Sequence, residues 1–162
     1  MRRQAARVVL LDPNDRVLLL SARDPYDPVK GAWWELPGGG MESGEASAVA
    51  AARELYEETG IDGVEMGPCV WRHDARFTFA GIRFDQHEHI HIARCAGFEA
   101  DYLPPGLEAL EAMAFQGYGW WTVAELASLT VIPPWLATEL PGFLTDGPPE
   151  EPIYLGQLGQ VV

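Results

Sequence analysis

Three glutamates lie close together in one short segment of this 162-residue chain. Glu54, Glu57 and Glu58 fall within residues 46–59, which are rich in alanine and other good helix formers and are followed by Gly60. On a helix the three carboxylates share one side, where Glu54 and Glu58 repel each other and the helix dipole opposes them. A solvated acidic face is one interpretation. Clustered carboxylates are also hard oxygen ligands that suit Mg²⁺ or Mn²⁺.

The segment from Gly39 to Ile61 resembles the Nudix box. That pattern is Gly, five residues, Glu, seven residues, Arg-Glu, an aliphatic residue, any residue, Glu-Glu, any residue, Gly and an aliphatic residue. The chain matches every fixed position with Gly39, Glu45, Arg53, Glu54, Leu55, Glu57, Glu58, Gly60 and Ile61. Residues 34–38 and 119–126 also look like parts of this family, so the resemblance covers roughly residues 4–130.

This resemblance implies a fold and an activity. The fold is of the α/β class, a Nudix-type α/β/α sandwich with a mixed β-sheet. The activity is divalent-metal-dependent hydrolysis of a pyrophosphate bond in a nucleoside diphosphate linked to another moiety. The implied ligands of Mg²⁺ or Mn²⁺ are the Gly38 carbonyl and the carboxylates of Glu54, Glu57 and Glu58. The alternative is a catalytically silent Nudix-fold module that binds a nucleotide, although such modules usually lose box carboxylates and this chain keeps them all.

Catalysis also needs oriented carboxylates and a general base. Glu45 and Arg53 are expected to form a structural ion pair that orients the glutamate cluster, which makes Arg53 part of the catalytic set. A general base must take the proton of the attacking water. In relatives this base is a box glutamate, here Glu57, or a glutamate from a later loop. The later candidates are Glu88, Glu99, Glu108 and Glu111. Chain geometry favours Glu111, because the segment after it must return to the sheet.

Other residues are candidates for substrate or metal contact. Arg23 and Arg72 could contact phosphate, and Trp34 could stack on the organic part of the substrate, although a lone arginine is usually a surface charge and most tryptophans belong to the core. Histidines alternate along one predicted strand, at positions 87, 89 and 91. They could form a zinc site, but an exposed strand face is the favoured interpretation.

Composition limits the partners of the chain. A length of 162 residues predicts one domain, placed at residues 1–144, with residues 145–162 as an extended or mobile tail. The net charge of −13 disfavours duplex nucleic acid and anionic membrane as partners. It would also repel a polyanionic small substrate at long range, which favours a site where a bound metal supplies the attraction. The resemblance implies that the substrate is a phosphorylated small molecule, a nucleotide derivative. Composition leaves a homodimer as a possible partner state. Cys69 and Cys95 lack metal-site spacing and suit a cytoplasmic location.

Hydrophobic periodicity predicts the elements around the box. A hairpin is expected from residues 5–11 and 16–22, a loop over 23–31, and a long antiparallel pair over 64–79 and 82–94. A later strand is expected over 118–122 and short helices over 107–114, 123–129 and 135–144. Ala46 stands where many relatives carry a capping side chain, so Ser47 is expected to cap the box helix instead.

Overall fold

A computed structural model of the protein describes residues 2–97 and 114–158. Within those residues, nine strands form one sheet: β1 (Arg3–Leu11), β2 (Val17–Arg23), β3 (Ala32–Glu35), β4 (Gly38–Gly40), β5 (Cys69–Phe79), β6 (Ile82–Arg94), β7 (Phe115–Trp121), β8 (Val131–Ile132) and β9 (Ile153–Leu158). The helices are α1 (Ser47–Thr59), α2 (Val123–Leu126) and α3 (Leu136–Asp146), with a single 3₁₀ turn at Pro28–Lys30. None of these helices is both long and apolar enough to cross a lipid bilayer.

The sheet is mixed, with the order β8-β3-β2-β1-β6-β5-β9. The pairs β1–β6, β3–β8 and β5–β9 are parallel, whereas β1–β2, β2–β3, β2–β7 and β5–β6 are antiparallel. Strand β1 meets β2 where Leu11 faces Val17, and further back along β1 its neighbour is the short strand β4. This change of partner places the glycine-rich segment against the middle of the sheet.

Alternation along β1 divides the core between the two faces of the sheet. Val9 and Leu11 pack with Leu136 and Leu140 of α3. Ala6, Val8 and Leu10 pack against the apolar side of α1, which is formed by Ala50, Ala51 and Leu55. Helices therefore cover both faces of a mixed sheet, which confirms the predicted α/β/α sandwich. The predicted hairpin and long antiparallel pair are also present, although β5 begins at Cys69 rather than at residue 64.

The two ends of α1 differ in how well the sequence predicts them. Gly60 adopts a left-handed conformation at φ 77° and donates its backbone N–H to the Tyr56 carbonyl at 2.8 Å, as the sequence predicts. The prediction that Ser47 caps the helix is wrong. Ala46 is the N-cap without a side-chain bond, and Ser47 is already helical. Its hydroxyl bonds His91 Nε2 at 2.8 Å, because Ser47 faces the sheet.

The last described segment adds an edge strand to the sheet. Helix α3 continues to Asp146, two residues beyond the predicted end at 144, and β9 then pairs in parallel with β5. Helix α2 is shorter than predicted and begins with a capping box between Thr122 and Glu125. The division of the chain at residue 144 stays a prediction. Glu99, Glu108, Glu111 and most of the predicted helix at 107–114 lie outside the described residues.

Candidate active site

The glycine-rich turn lies directly against β1 and α1. Register pairs Gly38 with Arg7 and Gly40 with Ala5. A side chain at Gly38 would collide with the Ala6 carbonyl and with Arg7, so this position needs a residue without Cβ. The backbone N–H of Gly38 donates to Glu58 Oε1 at 2.7 Å. The turn and the end of α1 are therefore joined through one carboxylate of the box.

Gly39 likewise lies close to a second carboxylate, that of Glu54. A Cβ at Gly39 would lie 2.8 Å from the carboxyl carbon of Glu54. Glu54 and Glu58 are both buried, one helical turn apart on α1. Two of the predicted metal ligands are thus enclosed between the helix and the glycine turn, so the alternative of a solvated acidic face does not describe them.

Arg53 connects the box carboxylates to one another. Its Nε and Nη2 donate to the two oxygens of Glu45 at 2.8 and 2.9 Å, and Nη1 donates to Glu54 and Glu57 at 3.0 and 3.2 Å. Nη2 also donates to the Gly40 carbonyl at 3.1 Å. Hydrogen bonding to Glu45 raises the pKa of Arg53, and the same bonds lower the pKa of Glu45 to about 2. The guanidinium thus stays charged and holds three carboxylates and the turn in one place.

Glu58 lies in an environment that penalises its charge. Burial raises the pKa of Glu58 well above its usual value, and the charges of Glu35 and Glu54 raise it further. The Gly38 N–H and the charge of Arg7 act in the opposite direction without reversing the shift. The ionised carboxyl therefore needs more positive charge than the surrounding protein supplies.

The residues present fit a divalent cation by their chemistry. Glu54 and Glu58 supply buried carboxylate oxygens, which are hard metal ligands. The negative charge of Glu35 acts on Glu58 as well. Within residues 2–97 and 114–158, no group of three or more His, Cys, Asp or Glu side chains converges on one point as a metal site. Glu58 faces the Gly38 N–H and Glu54 faces Arg53. Glu54 and Glu58 therefore have oxygen atoms that suit a divalent cation, but in this structure those oxygens face hydrogen-bond donors of the protein.

Sequence reasoning missed a buried ion pair beneath the turn. Arg7 Nε donates to Glu88, and Arg7 Nη1 donates to the Leu36 carbonyl at 3.0 Å. The two side chains are 15% and 4% exposed. Burial alone raises the pKa of Glu88, but the charge of Arg7, together with the contributions of His73 and Gln86, outweighs it and leaves the pKa far below its usual value. Glu88 also accepts from Gln86 Nε2 at 3.0 Å, which makes it a fixed anion rather than a free general base.

The sequence contains signs of two site residues that sequence reasoning missed, Arg7 and Glu35. Arg7 is the only charged residue in the otherwise apolar run of residues 5–11, and a mostly buried arginine requires an anionic partner. Glu35 stands immediately before the turn, where its Oε2 accepts from Trp33 Nε1 at 2.8 Å and its charge acts on Glu58. Neither the partner of Arg7 nor the proximity of Glu35 to α1 follows from spacing alone, because both depend on contacts between distant strands.

The predicted substrate-contact residues lie at separate points of the sheet. Arg23 is exposed at the end of β2, and Arg72 is exposed in β5. Trp34 is half-buried in β3 and packs edge-on against Trp121, with ring centroids 4.9 Å apart. Neither arginine shares an ion pair with the box carboxylates in the part of the chain that the structure describes. Their substrate contacts stay predictions.

The three alternating histidines have individual partners. His87 Nδ1 bonds Asp74 at 2.7 Å, and His89 Nε2 bonds Gln4 at 3.0 Å. His91 Nδ1 donates to the Gly67 carbonyl at 2.9 Å, and its Nε2 bonds the Ser47 hydroxyl. Burial lowers the pKa of His89 to about 4, assisted by the charges of its neighbours. These contacts tie β6 to β1, β5 and α1.

Comparison with known proteins agrees with this geometry. A family profile described as NUDIX domain matches residues 1–141. In overall structure the chain is similar to the E. coli ORF135 protein, with a TM-score of 0.60, 22% identity, and coverage of 93% of this chain and 96% of that one. At this identity the likeness shows the fold alone.

Two curated relatives match the chain over shorter segments. One is an RNA pyrophosphohydrolase of Caulobacter vibrioides, 44% identical over 59 residues, which are 36% of this chain and 33% of the relative. The other is a putative 8-oxo-dGTP diphosphatase of Bacillus subtilis, 40% identical over 62 residues, or 38% of each protein. The matched segment thus spans only about a third of either relative. The profile covers most of the chain, and the box residues surround the glycine turn as the motif requires, so the chain belongs to the NUDIX domain family.

Proposed function

We propose that the chain is a divalent-metal-dependent hydrolase that cleaves a pyrophosphate bond in a nucleotide derivative. The observation that carries the proposal is the burial of Glu54 and Glu58 against the glycine turn, where burial and the charges of Glu35 and Glu54 hold the pKa of Glu58 well above its usual value. Relatives named as pyrophosphohydrolases and diphosphatases support this class of reaction. The complete set of box carboxylates argues against a silent nucleotide-binding module.

The proposed roles follow the positions of the residues. Glu54 and Glu58, with Glu57 and the Gly38 carbonyl, would hold Mg²⁺ or Mn²⁺. The bound metal supplies charge neutralisation on the pyrophosphate and lowers the pKa of water. Arg53 and Glu45 keep the carboxylates oriented.

Two glutamates remain candidates for the general base. Glu57 is the most exposed of the three helix glutamates, at 34% of its side chain, and Arg53 fixes one of its oxygens. It can therefore face a water molecule while it is held in place. Glu111 is the alternative from the later segment. A phosphorylated small molecule, a nucleotide derivative, is the proposed substrate, and the chain is proposed to act in the cytoplasm.

Chromatographic detection of the cleavage products, phosphomonoesters or pyrophosphate, from a panel of nucleotides and nucleotide conjugates tests the proposal. The panel contains deoxynucleoside triphosphates, nucleotide sugars, dinucleoside polyphosphates, coenzyme A and 5′-triphosphorylated RNA, each with Mg²⁺ or with EDTA. Glu58→Gln should lower turnover by about 10²-fold or more for any substrate that the chain cleaves, because it removes a charged ligand. Glu65→Gln, at an exposed site after α1, is the matched control and should not change turnover. Binding of a nucleotide without Mg²⁺-dependent cleavage would favour the silent module instead.

A further inference from the structure

A buried hydrogen bond connects the start of α3 to the middle of the sheet. Trp135 stands directly before α3, and its indole ring packs on the core face that holds Trp71, with ring centroids 5.3 Å apart. Trp135 Nε1 donates to His73 Nδ1 at 2.9 Å. The His73 side chain is 1% exposed, so the bond lies inside the core. A buried polar contact is costly to leave unmade, and this one therefore fixes both rings.

The bond from Trp135 also decides which nitrogen of His73 carries the proton. An indole nitrogen can only donate, so Nδ1 accepts and the neutral imidazole keeps its proton on Nε2. That Nε2 lies 3.5 Å from Glu88 Oε2, a separation longer than a normal hydrogen bond. Among the described residues it has no hydrogen-bond partner. The N–H dipole of His73 therefore faces the buried carboxylate and attracts it without bonding it closely.

Glu88 has donor groups on three sides. Arg7 Nε donates to Oε1, Gln86 Nε2 donates to Oε2 at 3.0 Å, and His73 faces Oε2. His73 and Glu88 are opposite each other in the register of β5 and β6, so both side chains lie on one face of the sheet. Burial raises the pKa of Glu88, but the charge of Arg7, with His73 and Gln86, holds it far below its usual value. Glu88 is thus an anion whose position depends on all three neighbours.

Arg7 connects the position of Glu88 to the glycine turn. Its Nη1 donates to the Leu36 carbonyl at 3.0 Å, two residues before Gly38. Nε and Nη1 belong to one planar guanidinium, so a change in the direction of Nε towards Glu88 also moves Nη1. Gly38 in turn donates its N–H to Glu58. Through one side chain, Glu88 therefore reaches the backbone that leads into the turn.

The two layers that cover the sheet contact the turn in different ways. From α1, Glu58 and Arg53 bond the turn directly. On the α3 face, apolar packing is non-directional and cannot set the angle of a carboxylate. The hydrogen bond from Trp135 is directional, and it begins a series of contacts that ends at the Leu36 carbonyl. The start of α3 can therefore affect the turn from the opposite face of the sheet.

We propose that Trp135 and His73 are positioning residues for the glycine turn. Trp135 holds the His73 ring with its Nε2–H towards Glu88. That carboxylate keeps Arg7 against the Leu36 carbonyl and so keeps the turn in place. The inference rests on the proposed function in one respect, because turnover is one of its two readouts. Neither Trp135 nor His73 is expected to contact substrate, since each acts through the carboxylate that Arg7 binds.

NMR spectroscopy of the imidazole nitrogens and of the backbone tests the positioning without turnover. In EDTA at pH 8, where an ordinary histidine is neutral, His73 should carry its proton on Nε2. Trp135→Phe keeps an aromatic ring in the core and removes the indole N–H. This variant should shift the His73 Nδ1 resonance and the backbone amide resonance of Gly38, because the series of contacts is broken at its first step. A His73 ring protonated on Nδ1 in the wild type, or an unmoved Gly38 amide in Trp135→Phe, would overturn the proposal.

Turnover of a cleaved nucleotide derivative measures the same effect on the site. Trp135→Phe should lower kcat by about 3- to 10-fold with little change in KM, because a displaced turn misplaces catalytic groups without removing a substrate contact. His73→Leu should lower kcat at least as much. His73→Gln should restore part of this loss, since a glutamine amide can place an N–H near the position of Nε2 and leucine cannot. Equal kcat values for His73→Gln and His73→Leu would contradict the role of the N–H group.

Phe143→Leu is the matched control for a loosened core. Phe143 lies on α3 and packs on the same cluster, with its ring centroid 5.9 Å from that of Trp71. Phe143→Leu should lower the Tm at least as much as Trp135→Phe and leave kcat and the Gly38 amide resonance unchanged. If kcat falls equally in both variants at an equal loss of Tm, Trp135 acts through packing alone and the proposal fails.

The outcome is separable from that of the proposed function. If the Gly38 amide resonance depends on Trp135 in EDTA but no nucleotide derivative is cleaved with Mg²⁺, the positioning role stands and the proposed hydrolase activity fails. If cleavage depends on Glu58 while Trp135→Phe keeps the kcat and the Gly38 amide resonance of the wild type, the hydrolase activity stands and the positioning role fails.

Discussion

At the scale of single residues, the site depends on two arginines with different surroundings. Arg53 sits among the box carboxylates and contacts the turn from the side of α1. Arg7 contacts the segment before the turn from within the sheet. Each pairs with a glutamate whose pKa is lowered, Glu45 or Glu88. The motif reveals the first arginine, whereas the second is visible only as a charge inside an apolar strand.

The Glu45–Arg53 pair predicts a pH-dependent stability. The pKa of Glu45 is lowered to about 2 in the folded chain, whereas an unfolded glutamate titrates near 4.3. The pair therefore stabilises the fold above the unfolded pKa, and this contribution is lost as pH falls from about 4.3 towards 2. Urea unfolding in EDTA should show Glu45→Gln less stable than wild type at pH 6, with the difference shrinking at pH 3. A difference that is constant between these pH values would contradict the assignment.

Arg7 is expected to position the glycine turn. Arg7→Met should lower kcat by about tenfold or more with little change in KM, because a small displacement of catalytic groups costs rate. It should also destabilise the chain by about 3 kcal/mol, since Glu88 loses its partner.

Lys30→Met is the matched control for Arg7→Met. The Lys30 side chain is 13% exposed and likewise binds one carboxylate, Asp24, and one carbonyl, that of Thr78. Lys30→Met should lose comparable stability and keep kcat. If both variants lose activity in proportion to stability, Arg7 has a structural role alone.

At the scale of elements, the site forms where the turn around β4 packs against helix α1. Sequence reasoning predicts α1, its end at Gly60 and the burial of both sheet faces, because periodicity and capping are local properties. It gave the wrong capping residue for α1, because His91 on a distant strand bonds the Ser47 hydroxyl. For the same reason it gave Glu88 no partner, since Arg7 lies 81 residues away in the chain.

The contact between the turn and α1 gives a prediction at Gly39. The neighbour of an added Cβ would be the flexible end of Glu54, so Gly39→Ala should fold with near-normal stability by displacing that carboxylate. Turnover should fall by about 10²-fold if Glu54 must stay where it is. Gly38→Ala should instead destabilise the fold, because its new Cβ would meet the backbone carbonyl of Ala6. Thermal unfolding and turnover of both variants measure the contrast, and normal turnover in Gly39→Ala would remove Glu54 from the site.

At the scale of the whole molecule, acidity and metal binding are connected. The chain carries 24 acidic and 11 basic residues, and several of the acidic groups are buried around the glycine turn. A cation that binds there favours the folded chain over the unfolded chain, which has no assembled site. Saturating Mg²⁺ at 100 times its dissociation constant should add about 2.7 kcal/mol to the free energy of unfolding.

Differential scanning calorimetry can separate this site-specific effect from general screening. Mg²⁺ should raise the Tm of wild-type chain by several degrees, while NaCl at equal ionic strength should raise it much less, because sodium screens surface repulsion without occupying the site. In EDTA, Glu58→Gln should have a Tm at or above that of the wild type, because the uncompensated buried charge of Glu58 is gone. When Mg²⁺ is added, the Tm of this variant should rise much less than that of the wild type. Glu65→Gln, which also removes one negative charge, should keep the full response. An equal rise in Tm for Glu58→Gln and wild type would place the stabilising cation elsewhere on the acidic surface.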